Sequence, residues 1–145
     1  MQSVADYLLD TNILVHLIRG DKTGRQVDER FGLRTNLSAC AISVVTVGEM
    51  LSLAQRREWG PNKMQALETL LGRLLQIDLN DRNILEAYAA IDNFSKDRTH
   101  DMGKNDIWIA ATAKAIGYTL LTNDKDFQHL HDTQIKCIYI APDEG

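Results

Sequence analysis

The 145-residue sequence has few of the features that indicate several domains, a membrane span or secretion. It has two prolines and no low-complexity tract, internal repeat or linker, so we expect a single domain over residues 1–145. No apolar run is long enough to span a bilayer, and no basic-then-apolar segment opens the chain. We therefore expect a cytoplasmic protein without a membrane segment, ending in a short polar tail from Pro142.

Cysteine is also scarce, and charge of neither sign dominates. Cys40 and Cys137 lie among apolar residues in predicted strands, so we interpret both as reduced core thiols. The 16 basic and 20 acidic residues give a net charge of −4, which at first argues against a nucleic-acid partner. If five acids gather in one site, however, the other 15 balance the bases. A phosphate-containing substrate is therefore not excluded.

Short apolar runs alternate with longer segments of helical periodicity. The runs predict five strands, at about 6–9, 38–43, 75–79, 118–122 and 135–140. Helices are predicted at about 13–19, 46–58, 62–74, 81–97 and 105–116. Strands that alternate with helices indicate an α/β fold, a three-layer α/β/α sandwich around a parallel sheet. The helical hairpin 46–74 is an insertion between the second and third strands.

Five carboxylates stand near the junctions between predicted strands and helices: Asp10, Glu49, Asp106, Asp124 and Asp126. Acids at the carboxyl ends of parallel strands converge on one crevice. Two carboxylates about 4 Å apart repel by about 4 kcal/mol at an effective dielectric constant of 20. Such a cluster must take up protons or bind cations, and hard oxygen ligands select Mg²⁺ or Mn²⁺.

Each of these acids also has a purely structural interpretation. Glu49 fits a capping box that begins at Thr46, and Asp106 follows Asn105 as an acid in the first turn of a helix. Asp10 could cap the first helix, and Asp124 could form an Asx turn. One site at one edge of the sheet explains all of them together, so we favour the functional interpretation.

Four ordered sequence blocks carry the carboxylates. They are Tyr7-Leu8-Leu9-Asp10-Thr11-Asn12-Ile13-Leu14, Ile42-Ser43-Val44-Val45-Thr46-Val47-Gly48-Glu49-Met50, Asn105-Asp106-Ile107-Trp108-Ile109-Ala110-Ala111 and Leu121-Thr122-Asn123-Asp124-Lys125-Asp126-Phe127. In these blocks the sequence resembles the PIN-domain nucleases, and among them the VapC toxins of type II toxin–antitoxin systems. The departures are small: Gly48 and Trp108 stand where a bulkier apolar and an aliphatic residue are usual.

The resemblance implies a PIN-like fold with strand order 3-2-1-4-5. It implies that Asp10, Glu49, Asp106 and Asp124 are the catalytic, metal-binding acids and that Asp126 is a further metal ligand. Thr11, Asn12 and Thr122 would support these ligands. The activity it implies is Mg²⁺-dependent endoribonuclease action on RNA, with tRNA favoured, by a toxin with a cognate antitoxin. Homodimers and toxin–antitoxin hetero-oligomers are expected by the same analogy.

Bases around the crevice are expected to hold the RNA. The candidates are Arg19, Lys22, Arg25, Arg98 and Lys104, with Arg56, Arg57 and Lys96 nearby. The hairpin around Trp59, with Met50, Leu51 and Leu53, is a candidate antitoxin contact, although apolar residues of this kind more often belong to the core.

No Ser-His-Asp or Cys-His set occurs in the motifs, and we interpret His16, His100, His129 and His131 as surface or helix-end residues. Hydrolysis would then depend on metal ions, one held chiefly by Asp10 and Asp106 and one nearer Asp124 and Glu49. A haloacid-dehalogenase-type phosphatase needs a second Asp where Asn12 stands. A receiver domain needs a central acceptor that Asp78 matches poorly, and a non-catalytic RNA-binding module would have lost acids.

Overall fold

A five-stranded parallel sheet forms the centre of the protein in the computed structural model, which describes residues 6–141. The predicted tail from Pro142 lies outside the described residues. The strands are β1 Tyr7–Leu9, β2 Cys40–Ser43, β3 Leu75–Ile77, β4 Thr119–Thr122 and β5 Cys137–Tyr139. Their order is β3-β2-β1-β4-β5. The predicted sheet order and α/β/α fold are confirmed.

β1 is the central strand, hydrogen-bonded to β2 on one side and β4 on the other. Leu8 pairs with Ala41 of β2 and with Leu120 of β4, and all three side chains are fully buried. Helices cover both faces of the sheet, which explains why the strands read as continuous apolar runs rather than alternating ones.

Within residues 6–141, six α-helices surround the sheet. They are α1 Thr11–Arg19, α2 Lys22–Phe31, α3 Val44–Arg56, α4 Pro61–Arg73, α5 Arg82–Asp97 and α6 Lys104–Ile116. The five helices that the sequence predicts begin and end within two residues of their predicted limits. A 3-10 helix, Lys125–Leu130, follows β4. As predicted, Gly117 ends α6 in the left-handed conformation (φ 75°).

Helix α2 was not predicted. Its ten residues are mostly polar, and Val27 is the one fully buried large apolar side chain that it presents. The side chain of Asp21 caps the helix by accepting from the Gly24 amide at 2.9 Å. Gly24 itself packs so closely on α1 that an added Cβ would lie 2.1 Å from the carbonyl oxygen of His16. A glycine contact of this kind leaves no hydrophobic period in the sequence.

Two clusters of buried apolar residues occupy the two faces of the sheet. One is built mainly from α1 to α4 and the other mainly from α5, α6 and the 3-10 helix. Cys40 and Cys137 are buried and unpaired, as predicted, and burial raises the pKa of both thiols to about 11. Across residues 6–141, no helix is both long and apolar enough to cross a membrane.

The hairpin of α3 and α4 lies between β2 and β3, as predicted, and turns at residues 57–60. Its side chains do not all face outward. Met50 is fully buried and Leu53 partly buried in the core, whereas Leu51 is exposed. The core interpretation of Met50 is therefore confirmed, because its side chain fills the core beneath α3 and is not available to a partner.

Candidate active site

Asp10 and Asp124 follow two neighbouring strands at the same edge of the sheet. Asp10 comes directly after β1, and its amide donates to the carbonyl of Leu121 in β4 at 3.0 Å. Asp124 comes two residues after the end of β4. The crossovers from these strands run in opposite directions along the sheet, so the acids stand at its switch point.

The Asp10 carboxylate is 4% exposed and already has two hydrogen-bond donors. Thr122 Oγ1 donates to its Oδ2 at 2.7 Å, and the Thr11 amide donates to its Oδ1 at 2.8 Å. The second contact makes Asp10 the N-cap of α1, so the structural interpretation of this residue is correct as well. Thr122 also accepts from the Asp124 amide at 2.9 Å and thereby links the two acids.

Glu49 reaches the site from the second turn of α3. Thr11 Oγ1 donates to Glu49 Oε1 at 2.7 Å and lies 3.0 Å from the hydroxyl of Thr46. The alternative interpretation of Glu49, a capping box beginning at Thr46, is wrong, because α3 begins earlier and Ser43 is its N-cap. Thr46 is instead a buried hydroxyl inside the helix. Asp10 and Glu49, each held by a threonine hydroxyl, are called the inner pair below.

Asp106, Asp124 and Asp126 form a second group, called the outer trio below. One carboxylate oxygen from each lies within 4.8 Å of the others. Asp106 stands in the first turn of α6, as the structural interpretation had it, but the N-cap is Gly103 and not Asn105. Asp124 Oδ1 accepts from the Asp126 amide at 2.9 Å, which is the expected Asx contact. That turn brings Asp126 into the trio.

Burial and mutual repulsion make two of the acids unusually basic. Burial raises the pKa of Asp10 to about 6, and the charges of Glu49 and Asp124 add to the shift, while the bonds from Thr122 and Thr11 oppose it. Burial, followed by the charges of Asp10 and Asp124, raises the pKa of Asp106 to about 7. A divalent cation would relieve this repulsion, and oxygen donors alone suit a hard ion.

The predicted RNA-binding bases fall into two groups, those close to the acids and those engaged in contacts within their own segments. Arg19 lines a cavity of about 340 Å³ beside Glu49, together with Asn12, Arg56 and Arg57. Lys104 opens α6, two residues before Asp106.

The other candidate bases have local contacts. Arg25 donates to the Gly20 carbonyl at 2.9 Å, and Lys96 to Asp92 at 3.0 Å. The Arg98 guanidinium lies 3.4 Å from the ring centroid of Phe94. Lys22 is exposed at the start of α2.

Two histidines lie next to the outer trio, which the sequence did not indicate. His100 Nε2 is 4.0 Å from Asp126 Oδ1, and its ring stacks on that of His129 with centroids 3.8 Å apart. His16 and His131 are partly or fully exposed as predicted, and His16 Nδ1 lies 2.8 Å from Asp21 Oδ2. Twenty-eight residues separate His100 from His129. Only the packing of the 3-10 helix against the end of α5 reveals their contact.

Known proteins are similar to this chain in sequence and in fold. A ribonuclease VapC1 from Haemophilus influenzae (strain R2866) is 29% identical over 129 residues, covering 88% of this chain and 94% of that protein. The structure of VapBC2 from Rickettsia felis bound to a DNA fragment from their promoter superimposes with a TM-score of 0.76. It is 25% identical and covers 92% of this chain and 97% of the matched chain.

The structure of VapBC-1 from nontypeable Haemophilus influenzae has a TM-score of 0.73 and 26% identity, covering 92% of this chain and 96% of that one. The PIN domain family model matches residues 7–132, a range that contains all five carboxylates and both supporting threonines. This chain therefore belongs to the PIN domain family.

Proposed function

We propose that this protein is a metal-dependent endoribonuclease and the toxin of a toxin–antitoxin pair. The observation that carries the proposal is the gathering of five carboxylates at the switch point of a PIN fold, in a chain similar to VapC ribonucleases over almost its whole length. The PIN match leaves the phosphatase and receiver alternatives without support. Asn12, which stands where a phosphatase of that type needs a second Asp, is exposed. Asp78, the poor match to the acceptor of a receiver domain, follows the end of β3, and its carboxylate accepts from the Asn80 amide.

Mg²⁺, or Mn²⁺ in its place, is the proposed cofactor. The outer trio would hold it together with the inner pair, since all five residues offer carboxylate oxygens and the outer trio lies within reach of one ion. When bound, such an ion would lower the pKa of a water molecule and offset the charge that develops on the phosphate. The high pKa values of Asp10 and Asp106 support a site that becomes fully ionised only with a cation.

The protein's own residues fix the geometry of the inner pair. Thr122 holds the carboxylate of Asp10, and Thr11 holds that of Glu49, so both acids keep their orientation while RNA enters. Hydrolysis would form a bond from water oxygen to phosphorus and break the bond to the 3′ oxygen. The products would carry a 3′-hydroxyl and a 5′-phosphate.

The RNA backbone would be held by bases on both sides of the acids. Arg19, Arg56 and Arg57 are the strongest candidates, because they share a cavity wall with Glu49. Lys104 and Arg98 would act on the side of α6, and Lys22 and Arg25 farther along α2. tRNA is the first substrate class to test, by mapping 5′-phosphate ends in cells after controlled expression.

The decisive experiment compares the wild type with Asp10→Asn on RNA, with Mg²⁺ and with EDTA. We expect cleavage by the wild type in Mg²⁺ alone and a loss of at least about 1,000-fold in the variant, because one catalytic ligand is gone. Asp6→Asn, which neutralises an exposed acid immediately before β1, is the matched control and should cleave normally. The same two proteins are then expressed in cells. If Asp10→Asn arrests growth as strongly as the wild type does, the proposal is wrong.

A cognate antitoxin is the proposed partner. The solved relatives above are VapBC complexes, and one is bound to promoter DNA. On this chain, the surface that contacts the antitoxin would include the groove of about 510 Å³ between α1 and α4. Leu17, Ile18 and Leu70 line this groove, and Arg34 and Arg73 stand at its edge. Trp59 lies in the turn after α3, partly buried against the core, with Lys63 over its ring.

Co-expression with the neighbouring reading frame tests the partner, and light scattering of the purified protein tests the proposed homodimer. A toxin that cleaves tRNA acts where translation occurs, so we place it in the cytoplasm, which cell fractionation would check.

A further inference from the structure

A column of aromatic rings lies against the outer trio and has no part in the proposed hydrolysis. His100 stacks on His129 with the ring planes 23° apart, and His129 in turn lies nearly parallel to Phe94, at 24° and 6.4 Å between centroids. Phe94, His129 and His100 are called the ring column below. The guanidinium of Arg98 covers the ring of Phe94.

Hydrogen bonds to the end of α5 hold the two histidines of the ring column in place. The hydroxyl of Ser95, which is 1% exposed, lies 2.9 Å from His129 Nε2 and fixes the middle ring. The end of α5 fixes the outermost ring. The amide of His100 donates to the carbonyl of Ser95 at 2.9 Å, and the amide of Thr99 donates to that of Lys96 at 3.0 Å. These two bonds form a Schellman turn.

The Schellman turn requires a left-handed residue, and this chain uses Thr99 there with φ 53°. A β-branched residue in that conformation is strained, and such strain persists only where surrounding contacts enforce it. The result is a defined position for His100, whose side chain remains 34% exposed. Its Nε2 is 4.0 Å from Asp126 Oδ1. The exposed ring therefore stands at the edge of the site where the scissile phosphate would bind.

We propose that His100, backed by His129 and Phe94, is a stacking platform for an unpaired nucleobase next to the scissile phosphate. The proposal rests on the proposed function, since it concerns the substrate of that site. Single-stranded RNA is recognised largely by stacking of its bases on aromatic and histidine rings. A platform of this kind accepts any base, so it would select an unpaired nucleotide rather than a base identity. His100 would be a positioning residue and not a metal ligand.

The first test compares His100→Ala with His100→Phe on a single-stranded RNA oligonucleotide that contains one cleavage site. We expect the alanine variant to raise KM about 10- to 100-fold with kcat changed much less, because one stacked base is lost. Phenylalanine keeps a flat ring without a nitrogen ligand, so it should restore KM to within a few-fold. Gln128→Ala, an exposed change on the same 3-10 helix as His129, is the matched control.

Two results of this comparison would overturn the proposal. If phenylalanine fails to rescue and additional Mn²⁺ restores the alanine variant, His100 is a metal ligand. If kcat falls with KM unchanged, His100 acts on the chemical step or on the fold. Thermal unfolding of each variant separates loss of structure from loss of stacking.

A second test removes the base instead of the ring. Oligonucleotides with a single abasic residue are scanned around the cleavage site, and at one position the wild type should lose as much affinity as His100→Ala does. There the protein and RNA changes should not add, because both remove the same contact. Fully additive losses at every position would refute the platform.

A third readout does not depend on catalysis. With Asp10→Asn protein in Mg²⁺, the fluorescence of a 2-aminopurine placed at that position should be quenched, and quenching should disappear when His100→Ala is added. Absent quenching with RNA still bound would overturn the proposal. If the wild type cleaves no RNA but quenching is present, the nuclease proposal fails while the platform survives.

Discussion

The inner pair and the outer trio are held in different ways, although they belong to one acidic site. Threonine hydroxyls donate to both carboxylates of the inner pair, and Asp10 is nearly inaccessible to water. In the outer trio the Asp124 carboxylate accepts from the backbone amide of Asp126. The side chain of Asp126 is exposed. The inner pair therefore has a fixed geometry before any ion arrives. The outer trio is the part that an ion would organise.

The largest effect is expected from removing a support of the inner pair. Thr122→Val keeps the shape of the side chain but deletes the donor to Asp10 and the acceptor for the Asp124 amide. We expect RNA cleavage to fall about 10- to 100-fold, the range typical of residues that orient metal ligands, which is the role we propose for Thr122. The free energy of unfolding should fall by about 1–3 kcal/mol, because a buried acceptor and a donor lose their partner.

Cleavage rates and urea denaturation measure the two effects. Thr119→Val, at the opposite end of the same strand, is the matched control and should leave cleavage unchanged. Wild-type activity in Thr122→Val would mean that the inner pair needs no such support, and the contrast with the outer trio would disappear.

A smaller effect is expected from the charge of the outer trio. The pKa of Asp106 is about 7 in the folded protein against an ordinary 3.8, so the folded state holds this proton more tightly. Its contribution to stability is fully present below about pH 4 and is lost as the pH rises to about 7. In EDTA, Asp106→Asn should therefore raise the free energy of unfolding at pH 8 by about 1–2 kcal/mol, allowing for solvent screening of a half-buried group.

Denaturation curves at pH 5 and pH 8 check this sign. At pH 5 the variant and the wild type should differ much less, because Asp106 is then mostly protonated in the folded state. Asp101→Asn, which neutralises a nearby exposed acid, should leave the pH dependence as it is. A variant that is less stable than the wild type at pH 8 would show that the Asp106 charge is not a source of repulsion.

The contrast between the two groups of acids could be predicted only in part from the sequence. The strands, and the positions of Asp10 and Asp124 at their ends, follow from apolar runs, because these reflect local burial. The strand order came only from the resemblance to the PIN-domain nucleases. The bonds from Thr11 to Glu49 and from Thr122 to Asp10 join residues 38 and 112 positions apart. No local pattern encodes such contacts. The sequence predicted that these threonines support the ligands, but not which threonine holds which acid.

Two further features had no readable pattern. Helix α2 depends on the close contact of Gly24 with α1, and a glycine adds nothing to a hydrophobic period. The stack of His100 on His129 exists because the Schellman turn at the end of α5 meets the 3-10 helix Lys125–Leu130. By contrast, each of the five predicted helices buries at least two apolar side chains, and their limits were correct to within two residues. Prediction succeeded where packing is periodic and failed where it rests on single contacts.

A bound cation should stabilise the protein through the outer trio. At a Mg²⁺ or Mn²⁺ concentration ten times its dissociation constant, the free energy of unfolding should rise by about 1.4 kcal/mol. At one fixed ion concentration the rise should be greater at pH 8 than at pH 6, because the ligands must lose their protons before they bind metal. Thermal unfolding with each ion and with EDTA measures it. Equal stabilisation of Asp106→Asn and the wild type would place the ion elsewhere.

The smallest effect concerns the turn that presents His100 to the outer trio. Thr99→Gly removes the strain of a side chain in the left-handed conformation and should raise the free energy of unfolding by about 1 kcal/mol. The more flexible backbone should at the same time weaken RNA binding a few-fold, because the platform loses its fixed orientation. Glu58→Gly relieves the same kind of strain (φ 52°) at the turn after α3, away from the ring column. Urea denaturation should show a higher free energy of unfolding in both variants. Binding of the oligonucleotide should be weaker in Thr99→Gly alone. Equal affinities in the two variants would mean that the strain at Thr99 serves the fold and has no role in holding RNA beside the outer trio.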